Sequence, residues 1–397
     1  MSDHQVSAAR TPPPPLVVVG NPDNRRVTLF LAAAAQVGLA VEVLPWRRLA
    51  AGPVDLPAGA VVRVDSPGED AEVDRLLRGA DRPAEHGEIV GLADWYAGLR
   101  AALARLSHAA HAAGATLLND PADIAVMFDK RSCHARLAEA GVPVPPALPA
   151  PVRDYGELRS ALREAGWSQV FVKTAHGSSA SGVLALRINP GQSSSATEPR
   201  GTTTGATTTR VAATTSVELT GDGRLFNSLR VRTYRDERDI ATIVDRLAPD
   251  GLHVERWFPK AGLDGRVIDL RVLVVAGEPG HVVVRAGRGP LTNLHLGNAR
   301  GDLAAVRARL GESGYAAVLR TCVQAASCFP GSLHAGVDLL VGTDWKRHKV
   351  AEVNAFGDLL PNLTDSAGRD TYTAELVALR TGRFDRWRTS CPAGRDA

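Results

Sequence analysis

Three oxygen-bearing side chains set the first chemical expectation. In GVDLLVGTDWKRHKVAEVNAFGD, from Gly336 to Asp358, Asp338 interrupts one short apolar run. In the next run, Glu352 and Asn354 alternate with Ala351, Val353 and Ala355. Residues two apart on a strand share a face, so Glu352 and Asn354 point the same way. With a turn centred near Asp344 and Trp345, Asp338 falls opposite Glu352. Two carboxylates facing each other on a half-buried sheet repel unless a cation lies between them. Hard oxygen donors without Cys or His suit Mg²⁺, with water and phosphate completing an octahedron. A hairpin with a solvated polar face is the simpler alternative, and the apolar flanks argue against it.

Other stretches carry complementary charge. Around GEPG, Arg271 to Val275 and Val282 to Arg285 read as a second hairpin. Asp269 and Arg271 share a face there, and Arg285 is expected roughly opposite Arg271. Two facing guanidinium groups call for an anion between them, or for an acid such as Asp269 beside each. In VFVKTAHGSSASGV a strand ends in Lys173 and runs into the loop His176 to Gly182, which contains Gly177, Ser178 and Ser179. Such a loop offers backbone N–H groups to phosphate oxygens, although it is not a GxxxxGK[ST] loop and an ordinary hairpin turn has the same composition. Only five of the 46 basic residues are lysine: Lys130, Lys173, Lys260, Lys346 and Lys349. In a chain that uses Arg by default, each asks whether a compact ammonium is required. LHVERWFPK, residues 252–260, reads as a strand joining two lobes, a natural place for a purine. TNLHLGNARGD, residues 292–302, is a polar loop with Asn293, His295, Asn298 and Arg300, suited to orienting a phosphate or substrate or simply connecting two elements. His108 and His111 lie one helical turn apart without a third ligand, which favours a solvated or packed face.

The elements that position these groups fall into an ordered series. Residues 1–15 read as a disordered tail. Strands at 16–20, 41–44, 61–64 and 116–119 with helices at 25–37 and 94–113 make an α/β unit. Asn21, Asp23 and Asn24, after its first strand, are candidates for substrate contact by position alone. A helix follows from Asp120–Pro121 with Asp129–Lys130 near its end, then helices at 131–140 and 155–165, with strands at 170–173 and 183–188. The Ser/Thr/Gly-rich stretch 191–217 reads as a low-complexity insertion. A strand at 226–234, a helix at 240–247, helices at 303–310 and 315–329 and a last helix at 372–380 complete the chain. At 44% hydrophobic and 22% charged, 397 residues support several cores, and a net charge of +3 gives no reason to expect nucleic acid or membrane as a partner. Four cysteines without CxxC fit a reducing, cytoplasmic setting. The apolar run 29–40 is too short to span a bilayer.

Taken together, these pieces resemble the ATP-grasp superfamily, in the branch of glutathione synthetase and the ribosomal-protein glutamate ligases. DK at 129–130, FVK with HGSSASG at 171–182, VERWF at 254–258, IDLRVLVV at 268–275, VVVRAG at 282–287, TNLHLGNARG at 292–301, GVDLL at 336–340 and EVNAFGD at 352–358 occur in family order. The match spans about residues 119–380. It implies an α/β fold of the α+β ATP-grasp kind, with a doubly wound pre-ATP-grasp domain at 16–118 followed by two lobes clasping ATP. The small lobe would be 119–255 with its insertion, and the C-terminal lobe 256–388 would carry the metal site, leaving a tail at 389–397. Lys130, Lys173 and the loop from His176 to Gly182 would hold the phosphates. Glu255, Arg256 and Trp257 would lie at the adenine, and Asp269 near the ribose. Asp338, Glu352 and Asn354 would hold one or two Mg²⁺, with Mn²⁺ a substitute. Arg285 and Asn293, with Arg271 beside them, would face the transferred phosphoryl group.

The implied reaction joins a small-molecule or peptide carboxylate to an amine through an acyl phosphate. An ATP-grasp kinase acting on a hydroxyl shares nearly all of these residues. A non-catalytic nucleotide-binding module is disfavoured, because a degenerate member would have lost some of them. No motif identifies the substrate, and a homo-oligomer is compatible with the sequence.

Overall fold

The computed structural model describes residues 14–177, 181–189, 210–357, 360 and 362–391. The chain begins with β1 (Leu16–Gly20), α1 (Arg25–Gln36), β2 (Val41–Pro45), α2 (Trp46–Ala51), β3 (Val61–Val64), α3 (Ala71–Arg78), α4 (Leu92–Ala113) and β4 (Thr116–Leu117). These strands form a parallel sheet in the order β2-β1-β3-β4. Its strands read as continuous apolar runs because both faces are covered. Val17 and Val19 face α2, α3 and α4, while Leu16 and Val18 face α1. The unit is doubly wound, and the short helices α2 and α3 are additions to the elements read from sequence. His108 and His111 are exposed on α4, as expected.

Two helices, α5 (Pro121–Phe128) and α6 (Lys130–Glu139), lead out of this sheet. Asp120 caps α5 with Pro121 at its first position, and Asp129 caps α6 through the amides of Arg131 and Ser132. The cap therefore fixes where Lys130 begins its helix. Next come α7 (Tyr155–Glu164), β5 (Gln169–Thr174), β6 (Leu184–Asn189), β7 (Arg210–Leu219), β8 (Leu225–Tyr234), α8 (Glu237–Leu247) and β9 (Leu252–Arg256). The strands make an antiparallel sheet, β8-β7-β6-β5-β9, backed by α7 and α8. The expected insertion at 191–217 ends earlier than its composition suggests. Residues 190–209 lie outside the described residues, but 210–217 belong to β7. Val211, Ala213, Thr215 and Val217 alternate inward, and the buried Thr215 hydroxyl donates to the Val183 carbonyl at 2.6 Å. Threonine is β-branched, so a Thr-rich stretch can hide a strand's period of two.

The largest sheet is built from β10 (Gly262–Leu263), β11 (Arg266–Val275), β12 (Glu278–Gly287), β13 (Ala299–Arg300), β14 (His334–Val341) and β15 (His348–Asn354), with α9 (Leu303–Ser327) packed across it. Gly311, at φ 68°, breaks α9 where two separate helices were expected. The order is β13-β12-β11-β14-β15, with β10 beside β11. After β15, α10 (Thr371–Arg380) returns to pack on α1, and Tyr372 and Leu376 join the core beneath β1. A final helix, α11 (Arg383–Ser390), was not read from sequence; it buries Phe384 and reaches only the first two residues of the expected tail. No helix among the described residues is long and apolar enough to cross a membrane.

One buried acid lies outside any site. Asp123 on α5 accepts from the Gly331 amide at 3.0 Å and pairs with Arg136 at 3.2 Å. Burial and the neighbouring Asp120 still push its carboxyl up to about 7. A raised carboxyl pKa means stability that is full below about pH 4 and lost as pH rises through 7. Asp123→Asn is therefore expected to raise the unfolding free energy at pH 8 by on the order of 3 kcal/mol and to change little at pH 4. Urea titrations at the two pH values check this.

Candidate active site

The two hairpins lie side by side in the largest sheet and point their charged residues to one face. Asp338 pairs with Glu352 and Gly336 with Asn354, the register read from the sequence. The neighbouring hairpin differs from expectation. Its turn is Ala276–Gly277, with φ 44° and 81°, and not GEPG. Two positive-φ residues make the tight turn that matches strand twist, and with an irregularity between Leu273 and Val275 the register ends two residues from the expected one. Arg285 therefore faces Asp269, while Arg271 faces Asp338 on β14.

Charge alternates along this face. Arg285 Nε donates to Asp269 Oδ1 at 2.6 Å, and Arg285 Nη1 donates to Asp338 Oδ2 at 3.2 Å. Arg271 forms a two-pronged pair with Asp338, its Nη2 donating to Oδ2 at 3.1 Å. Lys260 Nζ donates to Asp269 Oδ2 at 3.0 Å and to the Thr292 hydroxyl at 2.8 Å. Burial opposes ionisation of Asp269 and Asp338, but the facing guanidinium groups and Lys260 outweigh it and hold both carboxyls below the usual range. Burial likewise opposes the charge on Arg285, and the same two carboxylates overcome it and raise its pKa. At the sheet edge Glu352 pairs with Lys130 at 3.2 Å.

This face is the floor of a cleft of about 110 Å³ between the two antiparallel sheets. Lys130, Lys173, Lys260 and Arg285 line it with Glu255, Asp269, Asp338 and Glu352. Phe171, Val183, Phe258, Leu291 and Leu340 make an apolar end. Lys173 donates to Glu255 at 2.7 Å, and His253 fixes the other Glu255 oxygen at 2.8 Å. Glu255 is buried, which disfavours its charge, yet Lys173 and then His253 bring its carboxyl down to about 2. Thus Glu255 holds a lysine rather than offering itself to a base. Arg256 and Trp257 do not line this cleft. Trp257 packs tilted against Phe171 at 4.9 Å and under Arg187 at 4.6 Å, facing a neighbouring groove, and Phe258 takes the cleft position.

The glycine loop is only partly described, and Ser178 and Ser179 lie outside the described residues. Its stem is tightly packed. A Cβ on Gly177 would lie 2.2 Å from Thr174 Oγ1, and one on Gly182, at φ 70°, would lie 2.4 Å from Thr174 Cγ2. Lys130 donates to the Gly177 carbonyl. His176 points away from the cleft: its ring stacks on Tyr96 at 4.0 Å, and burial keeps the imidazole pKa low. It anchors the loop to α4.

A second cavity, of about 490 Å³, opens beside the cleft. Arg271, His295 and Asn354 line it together with groups from the parallel sheet's loops. Lys130, Gly177, Arg285, Asn293 and Glu352 line both cavities. Asn298 shapes the wall by donating to the carbonyls of Leu291 and Asn293 at 2.8 and 3.1 Å. Arg300 is exposed on β13 and lines neither cavity. Asn21 is a buried clamp, and Asn24 lines the second cavity while Asp23 does not.

Among the described residues no three His, Cys, Asp or Glu side chains cluster as a metal site. The sheet offers a pair of opposed carboxylates with Asn354 beside them, its Nδ2 donating to the Gly336 carbonyl at 3.2 Å. These hard oxygens fit Mg²⁺ if phosphate completes the shell.

No protein-family model matches the sequence, and no curated protein matches it. Solved structures do match its fold. D-cycloserine synthetase DcsG superposes with a TM-score of 0.55 at 16% identity, covering 94% of this chain and 99% of that one. Macrocyclase MdnC from Microcystis aeruginosa MRC, bound with precursor peptide MdnA, gives 0.51 at 10% identity over 92% and 99%. ATP-grasp ligase PsnB, complexed with minimal precursor, Mg and ADP, gives 0.50 at 17% identity over 93% and 97%.

The chain has the ATP-grasp fold. Lys260, Thr292, His253 and Phe258 were not assigned from sequence. Lys260 was visible only as one of five lysines, and His253 only by its i, i+2 spacing from Glu255.

Proposed function

We propose that the chain is an ATP- and Mg²⁺-dependent ligase that phosphorylates a substrate carboxylate and passes the acyl group to an amine, releasing ADP and phosphate. The observation that carries this reading is the shared wall. Lys130, Gly177, Arg285, Asn293 and Glu352 border both the narrow cleft and the wider cavity. A nucleotide with its base against Phe258 and Leu340 would bring its terminal phosphate to that wall. A carboxylate in the wider cavity would then lie in line with it. Lys130, Lys173 and Arg285 supply positive charge for the phosphoryl oxygens. Asp338, Glu352 and Asn354 would hold Mg²⁺, whose chemistry is to neutralise charge developing on the phosphates. The ATP-grasp ligases of similar fold support the reaction class without identifying the substrate.

The test is a product assay. Purified protein is incubated with ATP, Mg²⁺ and a panel of carboxylates, with and without amines, and the products are read by mass spectrometry. ADP together with an amide is expected. A stable phosphorylated alcohol would instead assign the chain to the kinases.

A further inference from the structure

The wider cavity has a wall that phosphoryl transfer does not explain. It is formed by the loops after β1 and β3, adjacent strands whose chains leave toward opposite faces of the parallel sheet. Open α/β sheets bind ligands at such a crevice. Here it carries Asn24, Arg26, Ser66, Gly68 and Glu69.

This wall is built rather than incidental. Buried Asn21 donates to the carbonyls of Pro67 and Gly68, both at 3.0 Å. The Gly68 amide donates to Ser66 Oγ at 3.1 Å, and Asn24 Nδ2 donates to Glu69 Oε2 at 3.0 Å. Glu69 itself has φ 65°, a conformation that side chains with a Cβ disfavour by roughly 1 kcal/mol or more. A turn needed only for its path would be better served by glycine. The loop instead spends stability on presenting a carboxylate.

Charge gives that carboxylate a purpose. The end of the cavity nearest the cleft is cationic, with Lys130, Arg271 and Arg285. Glu352 at that end is tied to Lys130. Glu69 is the remaining carboxylate on the wall. It is exposed, and the partner on its Oε2 is the neutral Asn24 amide. Met127, Phe128, Leu294 and Phe356 add apolar surface to the lining, and Arg26 is held there by donating to the Phe356 carbonyl at 3.2 Å.

We propose that Glu69 forms an ammonium subsite, so that the substrate is a zwitterion. Its carboxylate faces Lys130 and Arg285, its protonated amine faces Glu69, and an apolar portion spans the middle. This deepens the ligase reading and rests on it. An amino acid or short peptide has this chemistry, whereas a simple fatty or aromatic acid does not.

The experiment compares amino carboxylates with their desamino counterparts, using ADP release with ATP and Mg²⁺ and calorimetric binding in the presence of a non-hydrolysable ATP analogue. Turnover and binding are expected for amino carboxylates, with desamino partners at least about tenfold weaker. Glu69→Gln should raise KM for the amino carboxylate by a similar factor and leave KM for ATP unchanged. Glu69→Gly should do the same while keeping or raising the thermal midpoint, because it relieves the backbone. A merely structural Glu69 would not separate these two readouts. Equal use of desamino acids, an unchanged substrate KM in Glu69→Gln, or no binding of any amino carboxylate would overturn the subsite. A phosphorylated product without an amide would instead overturn the ligase reading, and the KM comparison would still judge Glu69.

Discussion

Glu352→Gln is expected to lower ATP turnover by roughly 10³-fold or more and to leave the thermal midpoint nearly unchanged. Both halves follow from its position. Glu352 stands at the junction of the two cavities, across the strand pair from Asp338. With Asp338 held by two arginines, Glu352 is the more accessible carboxylate for a nucleotide-linked cation. An amide there keeps the shape and removes the charge. Stability should survive because the side chain is 28% exposed and its ion pair, with Lys130, is a partly solvated one. Such pairs contribute on the order of 0.5 kcal/mol. Single-turnover ADP release and a thermal melt on the same sample check the two parts. Near-normal turnover in the variant would remove Glu352 from the metal assignment.

The largest expected stability effect lies away from the chemistry. Arg63 on β3 is about 2% exposed. It donates to Asp65 at 2.7 Å and to Glu375 on α10 at 2.7 Å. Its guanidinium also stacks against Phe30 and Tyr372, 4.6 and 5.3 Å from the ring centroids. Glu375 in turn lies 3.4 Å from His334, the first residue of the strand that carries Asp338. The network thus ties the parallel sheet, the returning helix and the largest sheet together. Arg63→Met fills the same volume but leaves two carboxylates buried without a cation. Breaking a buried pair in this way costs roughly 3–5 kcal/mol, so the urea midpoint should fall sharply. Adding Asp65→Asn and Glu375→Gln removes the stranded charges and should recover most of the loss. A midpoint within experimental error of wild type for Arg63→Met alone would show that the network carries little of the stability.

The shared face of Glu352 and Asn354 was legible because strand parity holds within a run. Asp338 and Glu352 sit in apolar runs joined by a short turn, which places them roughly opposite; a register shift between Asp338 and Leu339 sets the pairing. Arg285 shows the limit. Assigning its turn to GEPG kept it on the correct face, since a shift of two preserves parity, but gave it Arg271 as partner in place of Asp269. Trp257 and His176 were misplaced for a different reason. Each sits at an element's end, where one residue decides between cleft and exterior, and packing on Phe171 or Tyr96 settles that choice. In β7, threonine's polarity concealed a buried strand. Glu69 was out of reach, because its role depends on two asparagines some 45 residues away clamping its loop. Long-range packing of that kind leaves no periodicity in the chain.

The most direct measurement is oxygen transfer from substrate to phosphate. With an ¹⁸O-labelled carboxylate that supports turnover, the proposed reaction passes one labelled oxygen into the released phosphate as the amide forms. Phosphate carrying one ¹⁸O, in step with ADP and amide, is the predicted result. Unlabelled phosphate, or label retained in full by the organic product, would contradict an acyl phosphate at the junction of the two cavities.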